Sequence, residues 1–415
     1  MKKFLSLVLA LVMTMSLVTV SAGAKDFADD SKITYKEAVD VMSAAKVIDG
    51  YTDGSFNPTA TLTRGAAAKI ICNLILGPTT ASALVADAAP YSDVPTTHTF
   101  AGYIAYCQKE GIISGYADGT FRPANTLTGY AFMKMLLGAL GYDAEVEQYT
   151  GANWSINVAK RALNIGLDDD LVGDFNGVKA VTREEACLYA LNTMTADMVE
   201  YDAKTTVSTN GTTVVIAGSK AKEMVNNGNS DGKIFGKDGV MQFAEKYFDN
   251  LSVKTGSDEF ERPANVWKLK AEEIGTYTNT PDLTYTKKVE AGDIYKDLNL
   301  GSTVAAKDVT VYVNGVEATA AEIDIKKGSD VAIGKAVNTN GNGVLTEVFY
   351  DDDADTITIT QVVTYIGEIA KTVKATDKKD AYVVVTGKAA ENNSFATIPV
   401  SVTGTKAGAL EFETD

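Results

Sequence analysis

Apolar residues recur at helical spacing three times in the first half of the chain. Counted from Thr63, the positions three, four, seven, eight, eleven and twelve residues on are Ala66, Ala67, Ile70, Ile71, Leu74 and Ile75. From Thr128 they are Ala131, Phe132, Met135, Leu136, Ala139 and Leu140, and from Thr182 they are Glu185, Ala186, Tyr189, Ala190, Thr193 and Met194. These positions share one face of a 3.6-residue helix, strongly apolar twice and more weakly the third time. Each Thr is a candidate N-cap, and Glu185, three residues after Thr182, completes a capping box. A second helical pattern precedes each of these, over residues 35–46, 100–110 and 153–164.

A turn separates the two helices of each unit. Gly50-Tyr51-Thr52-Asp53-Gly54-Ser55-Phe56-Asn57-Pro58 returns 65 residues later as Gly115-Tyr116-Ala117-Asp118-Gly119-Thr120-Phe121-Arg122-Pro123. Gly tolerates positive φ, and Pro forces the residue before it to be extended, so both halves of the motif spell a tight turn. In the third unit residues 167–175 replace this motif, and only Gly173 and Phe175 echo it. One helix–turn–helix unit cannot bury its apolar stripe alone, so the three are expected to pack together.

From about residue 204 the period changes to two. Val309-Thr310-Val311-Tyr312-Val313 runs into Asn314-Gly315, the signature of a hairpin. Residues 344–350 and 356–366 predict a second hairpin around an acidic stretch, and 381–386 and 396–402 predict further strands. Residues 239–248 and 269–275 are the only helical candidates in this half. The predicted fold class is α+β multidomain: a mostly-α unit of three repeats followed by mostly-β modules. The predicted boundaries are a signal peptide at 1–24, repeats at 25–84, 85–145 and 146–203, and one or two β-rich modules at 204–415.

Composition narrows the partners. The 415 residues carry a net charge of −16, which repels nucleic acid and anionic membrane surfaces. A polyanionic polymer would also be repelled at long range, so binding one requires local cations set in grooves. Lys2 and Lys3, the apolar run 4–20 and Ala22-Gly23-Ala24 read as a cleaved secretory signal. No later run approaches the roughly 20 apolar residues of a membrane span, so no membrane association is expected after signal removal. Cys72, Cys107 and Cys187 are odd in number, lack metal-site spacing and sit in apolar helical patterns, so they read as small buried hydrophobes. His98 is the only histidine, and no nucleophile pattern points to it. The runs Asp168-Asp169-Asp170 and Asp351-Asp352-Asp353-Ala354-Asp355 cluster oxygens without the spacing of a calcium loop and read as solvated turns. No metal or cofactor is predicted.

The Gly-Tyr-x-Asp-Gly-x-Phe-x-Pro turn, joined to a Thr-Arg helix start at constant spacing, resembles the S-layer homology (SLH) repeat. Tyr91-Ser92-Asp93-Val94-Pro95 resembles the opening of that repeat, and Phe27-Ala28-Asp29-Asp30 is a looser version. Trp154 resembles the aromatic that follows the opening. The resemblance covers about residues 26–200. It implies that the three repeats form one pseudo-threefold unit whose grooves bind secondary cell-wall polysaccharide, often carrying ketal-linked pyruvate. It also implies that the helix-start Arg contacts the anionic sugar, while an Asp near the opening and the turn glycines line the groove. Carried over residue by residue, the implied binding set is Arg64, Arg183, Asp93, Gly54 and Gly119, with Gly129 where a third Arg would stand. The chemistry is sound, because a guanidinium offers planar donors to a carboxylate and a helix N-terminus favours an anion.

The expectation is a secreted protein held non-covalently at the cell wall, and not an enzyme. The alternative is a lattice-forming S-layer protein that self-associates through its β half. An SLH-anchored glycan hydrolase would need paired carboxylates and aromatic platforms in the second half, where the one Trp is Trp267 and no such pattern stands. The sequence stops at residues 411–415 without a terminal feature, as a fragment of a longer protein would.

Overall fold

A computed structural model describes residues 26–202, 205–209, 212–216, 220–287, 289, 291–300, 309–318, 344–352, 354–363, 367–373, 382–387 and 399–402. The proposed signal peptide and residue 353 of the second acidic run lie outside them. The chain divides into two compact units, residues 1–256 with 265–277, and residues 257–264 with 278–415.

The first unit holds six repeat helices: α1 (Lys36–Ala44), α2 (Arg64–Ser82), α3 (Ala101–Lys109), α4 (Gly129–Ala139), α5 (Trp154–Asn164) and α6 (Arg183–Thr195). Helices α2, α4 and α6 begin directly after Thr63, Thr128 and Thr182. Thr63 Oγ1 accepts the Ala66 N–H, and Thr182 with Glu185 forms a complete capping box. Thr128 makes no side-chain cap. Helix α2 breaks at Gly77-Pro78, where Gly77 has φ 72° and Pro can donate no N–H.

Most of the apolar stripe is buried as expected, with Ala66, Ile75 and Ala131 half-buried, but burial also goes further round these helices. Cys72, Met133, Leu137, Cys187, Leu188 and Leu191 lie off the stripe and are also buried. The reason is that each of α2, α4 and α6 has helical neighbours on more than one side. Helix α2 pairs with α3, α4 with α5, and α6 with α1, so every second helix of a repeat sits on the first helix of another repeat.

The segments just ahead of these helices close a ring. Leu62 N–H donates to the Val181 carbonyl at 2.8 Å, Val181 N–H to Leu127 at 2.9 Å, and Leu127 N–H to Leu62 at 2.9 Å. Leu62, Leu127 and Val181 are all buried, so these bonds satisfy polar groups that water cannot reach.

Beyond the repeats come short strands β1 (Val199–Glu200) and β4 (Lys222–Glu223), the hairpin β2 (Thr205–Thr209) with β3 (Thr212–Ile216), and a short helix α7 (Phe243–Tyr247). Strands β5 (Leu251–Ser257), β6 (Pro263–Leu269) and β7 (Glu272–Thr278) form a three-stranded sheet. Two helical expectations change here. Only five residues of 239–248 are helical, and residues 269–275 are a hairpin instead. Lys270 and Ala271 have φ of 52° and 67°, the positive pair a two-residue hairpin turn requires. Trp267 of β6 is fully buried against the repeat core, and Tyr277 of β7 also joins it.

In the second unit, β8 (Leu283–Tyr285), α8 (Ala291–Asp297), β9 (Val309–Val313), β10 (Val316–Glu317), β11 (Val344–Asp351) and β12 (Thr356–Val363) surround a small core of Val289, Ile294, Val311, Val348, Ile357 and Ile359. The sheet order is β10-β9-β12-β11-β8. Both expected hairpins form: Val316 pairs with Val313 across Asn314-Gly315, and β11 pairs with β12 along its full length. Strand β12 also pairs with β9 in parallel. Strands β13 (Gly367–Val373), β14 (Tyr382–Gly387) and β15 (Pro399–Val402) make a further antiparallel sheet.

Candidate functional site

The turns of repeats 1 and 2 are each held by their own opening segment. In repeat 1, Asp29 Oδ1 accepts the Phe56 N–H at 2.7 Å and Oδ2 accepts the Asn57 N–H at 2.8 Å. In repeat 2, Asp93 does the same for Phe121 and Arg122, both at 2.7 Å. Burial works to raise both carboxyls, but these backbone donors prevail and hold both below the ordinary value. Asp93 is thus placed as a clamp on the turn. Inside the turns, Asp53 and Asp118 accept from Ser55 and Thr120. Among the described residues no carboxylate clamps Phe175 of repeat 3 in this way.

Gly54 and Gly119 stand at the exposed tips with φ of 86° and 78°, and Gly173 of the divergent repeat has φ 85°. Their carbonyls tie tip to opening: Gly54 accepts the Ala28 N–H, and Gly119 accepts the Ser92 N–H. The conformation, not crowding, selects glycine at position 54, because an added Cβ would meet nothing within 4 Å.

The two expected arginines lie on turns of other repeats. Arg64, at the start of α2, reaches the turn of repeat 2. Its Nε donates to Phe121 O at 2.8 Å and its Nη2 to Ser114 O at 3.2 Å, and the guanidinium carbon lies 4.3 Å from the Phe121 ring and 5.1 Å from Tyr116. Arg183, at the start of α6, treats the turn of repeat 1 identically. Nε donates to Phe56 O at 2.9 Å, Nη2 to Asp49 O at 2.8 Å, and the rings of Phe56 and Tyr51 both lie at 4.7 Å.

Neither guanidinium forms an ion pair among the described residues. Two carbonyl bonds occupy two of the five N–H donors, so three remain on each for an external acceptor. Burial draws the Arg64 guanidinium somewhat below its ordinary value, without threatening its charge. A groove of about 440 Å³ opens beside Arg64, lined among others by Tyr116, Lys134, Tyr149 and Trp154. Lys134 was not singled out by sequence. Its ammonium makes no ion pair among the described residues, lies 5.7 Å from the Trp154 ring, and is lowered by burial.

The third position differs. Gly129 N–H donates to Lys179 O, and Tyr130 N–H to Gly177 O, as the matching residues of α2 and α6 do on their turns. Here the Tyr130 ring lies over Gly177, and it packs edge-on to Trp154 at 6.4 Å and Phe175 at 5.9 Å. Pro58 and Pro123 hold the place of Gly177 in the other turns. The third turn therefore carries an aromatic ring against Phe175, where the turns of repeats 1 and 2 carry an arginine on Phe56 and Phe121.

Among the described residues no group of three or more His, Cys, Asp or Glu is arranged to hold a metal ion, and no helix is long and apolar enough to cross a membrane.

The S-layer homology domain family model matches residues 26–68 and 90–129. The chain is 29% identical over 148 residues to a Surface layer protein of Brevibacillus choshinensis, covering 35% of this chain and 13% of the relative. It is 23% identical over 372 residues to a Cell surface protein of Thermoanaerobacter kivui, covering 85% and 46%. An uncharacterized cell wall amidase of Bacillus anthracis is 26% identical over 156 residues, covering 36% and 28%. The chain spans less than half the length of each of these relatives. It carries S-layer homology domains and is a secreted protein of the cell surface.

Proposed function

We propose that the N-terminal repeats anchor the protein to the wall by binding an acidic secondary cell-wall polysaccharide in grooves centred on Arg64 and Arg183. The carrying observation is the state of these two cations. In a chain of net charge −16, both are held on carbonyls and two aromatic rings and neither is matched to a carboxylate among the described residues. That arrangement fixes the fork in place and leaves its charge and donors for an anion such as ketal-linked pyruvate. Each lies at a helix N-terminus, which adds to the attraction. The paired helices and the ring through Leu62, Leu127 and Val181 support a pseudo-threefold arrangement of the repeats. In this reading two of the three positions work, Asp93, Gly54 and Gly119 shape the grooves, and the chain is an anchor, not an enzyme.

A second reading assigns self-association in a surface lattice to the β-rich half. It is favoured by the 372-residue similarity to a cell surface protein, which extends beyond the repeats.

The test is co-sedimentation of the full secreted chain with purified walls, before and after stripping their secondary polymer, beside an Arg64→Ala, Arg183→Ala double variant. Binding that needs both polymer and arginines is expected. Binding that survives either removal would refute the site. Release of soluble wall fragments by the wild-type chain would refute the non-enzymatic reading.

A further inference from the structure

The structure brings together two cysteines from different repeats. Cys72 lies on α2 of repeat 1 and Cys107 on α3 of repeat 2, and their sulfurs are 3.6 Å apart. Both are fully buried. Each thiol is also oriented by a carbonyl of the opposite helix: Cys72 Sγ donates to Tyr103 O at 3.5 Å and Cys107 Sγ to Ala68 O at 3.7 Å. Cys187 stands apart on α6, buried in the core.

We propose that Cys72 and Cys107 are a disulfide-forming pair that staples repeat 1 to repeat 2 once the chain has left the cell. Three observations carry this. The sulfurs already touch, and moving from 3.6 Å to a bond of about 2.05 Å asks each to shift by roughly 0.8 Å. The pair joins two helices that already pack side by side, so the bond would hold an existing contact. The protein belongs at the cell surface, where disulfides persist. The odd count that argues against a disulfide framework in sequence leaves room for one bridge and one buried thiol.

The oxidant is a disulfide donor, small-molecule or enzymatic. One cysteine thiolate attacks a donor sulfur, forming a mixed disulfide and expelling one thiolate. The second cysteine thiolate then attacks the protein sulfur of that mixed disulfide and expels the other thiolate. The two cysteines lose two electrons and two protons, and the donor gains both as two thiols. Contact with Cys72 and burial push the Cys107 thiol up, which slows the reaction in the folded state. The bond therefore forms as the chain folds, before the helices close over the sulfurs.

The test refolds the denatured full-length secreted chain with reduced and oxidised glutathione, then counts thiols in denaturant and maps cross-linked peptides. The expected result is one free thiol in place of three, a single link between Cys72 and Cys107, and a melting temperature about 5–10 °C above the reduced chain. A Cys187→Ala variant is expected to keep the link and titrate no thiol. Three thiols remaining after refolding, a link that uses Cys187, or a bridged chain that melts below the reduced one would each overturn the proposal.

Discussion

Trp267 donates its indole N–H to the Glu37 carboxylate across 2.6 Å, although 230 residues separate the two. Asn265 donates to the same oxygen at 3.0 Å, so strand β6 is seated on helix α1 by a single carboxylate. Burial pushes the Glu37 carboxyl from 4.5 up to about 7, with the Asp170 charge adding to it and the two N–H donors opposing. Between these values the folded protein keeps a proton that the unfolded chain has released. The Glu37 contribution to stability is therefore full below about pH 4.5 and is lost as pH rises through about 7, by at most about 3 kcal/mol. Glu37→Gln keeps an acceptor for Trp267 and removes the titration. Its melting temperature relative to wild type is expected to climb between pH 5 and pH 8. A difference that stays constant with pH would remove Glu37 as the source.

Asp93→Ala tests the turn clamp. The variant strands the N–H groups of Phe121 and Arg122 and loses two charge-assisted bonds, with an expected cost of about 1–3 kcal/mol. Since Arg64 rests on the Phe121 carbonyl and ring, wall binding at that groove is expected to weaken too. Asp93→Asn keeps one acceptor and should fall between the two. Urea unfolding reads the first effect and co-sedimentation the second. Unchanged stability in the Ala variant would mean water replaces the clamp at no cost.

The parts legible in the sequence are those decided within a few residues. The turns were readable because Gly54 and Gly119 can take the positive φ the turn needs and the closing prolines have few backbone choices, and the β9–β10 hairpin because Asn314-Gly315 tolerates the pair of positive φ values of a two-residue turn. Chemistry that depends on distant partners was not. Nothing near Arg64 announces that it will lie on the turn of repeat 2, or that Cys72 will meet Cys107. Residues 269–275 read as helix because Lys270, Ala271, Glu272 and Glu273 favour it, and pairing of β6 with β7 overrode that preference. Lys134 stayed hidden because a lysine on a helix is usually a solvated charge, and only the fold sets it beside Trp154.

Two working grooves on one rigid ring predict bivalent attachment to a repeating polymer. Arg64→Ala and Arg183→Ala as single variants are each expected to lose about 100-fold or more in apparent affinity for wall material, since each removes the second, intramolecular contact. The same variants should differ from wild type far less against a short oligosaccharide that engages one groove. Titration calorimetry with the oligosaccharide beside wall sedimentation separates the two. A single variant that matches the double variant on walls would mean that one groove carries all the binding.

Gly129→Arg asks whether the third position lacks only its arginine. On sequence alone the substitution restores the missing fork. In the fold, a Cβ at 129 would lie 3.0 Å from Gly177 Cα and 3.2 Å from the Asn176 carbonyl, both backbone atoms with little freedom to move. The third turn already carries the Tyr130 ring, which lies over Gly177 and edge-on to Phe175. Gly129→Arg is therefore expected to cost about 1–3 kcal/mol through overpacking and to add no affinity for the polymer. Tyr130→Ala removes the ring that lies over Gly177, so the double variant Gly129→Arg, Tyr130→Ala is expected to recover part of the stability lost by the single one. A gain in wall binding by Gly129→Arg alone, at unchanged melting temperature, would mean that the aromatic closure of the third position yields readily and that the missing arginine was its only defect.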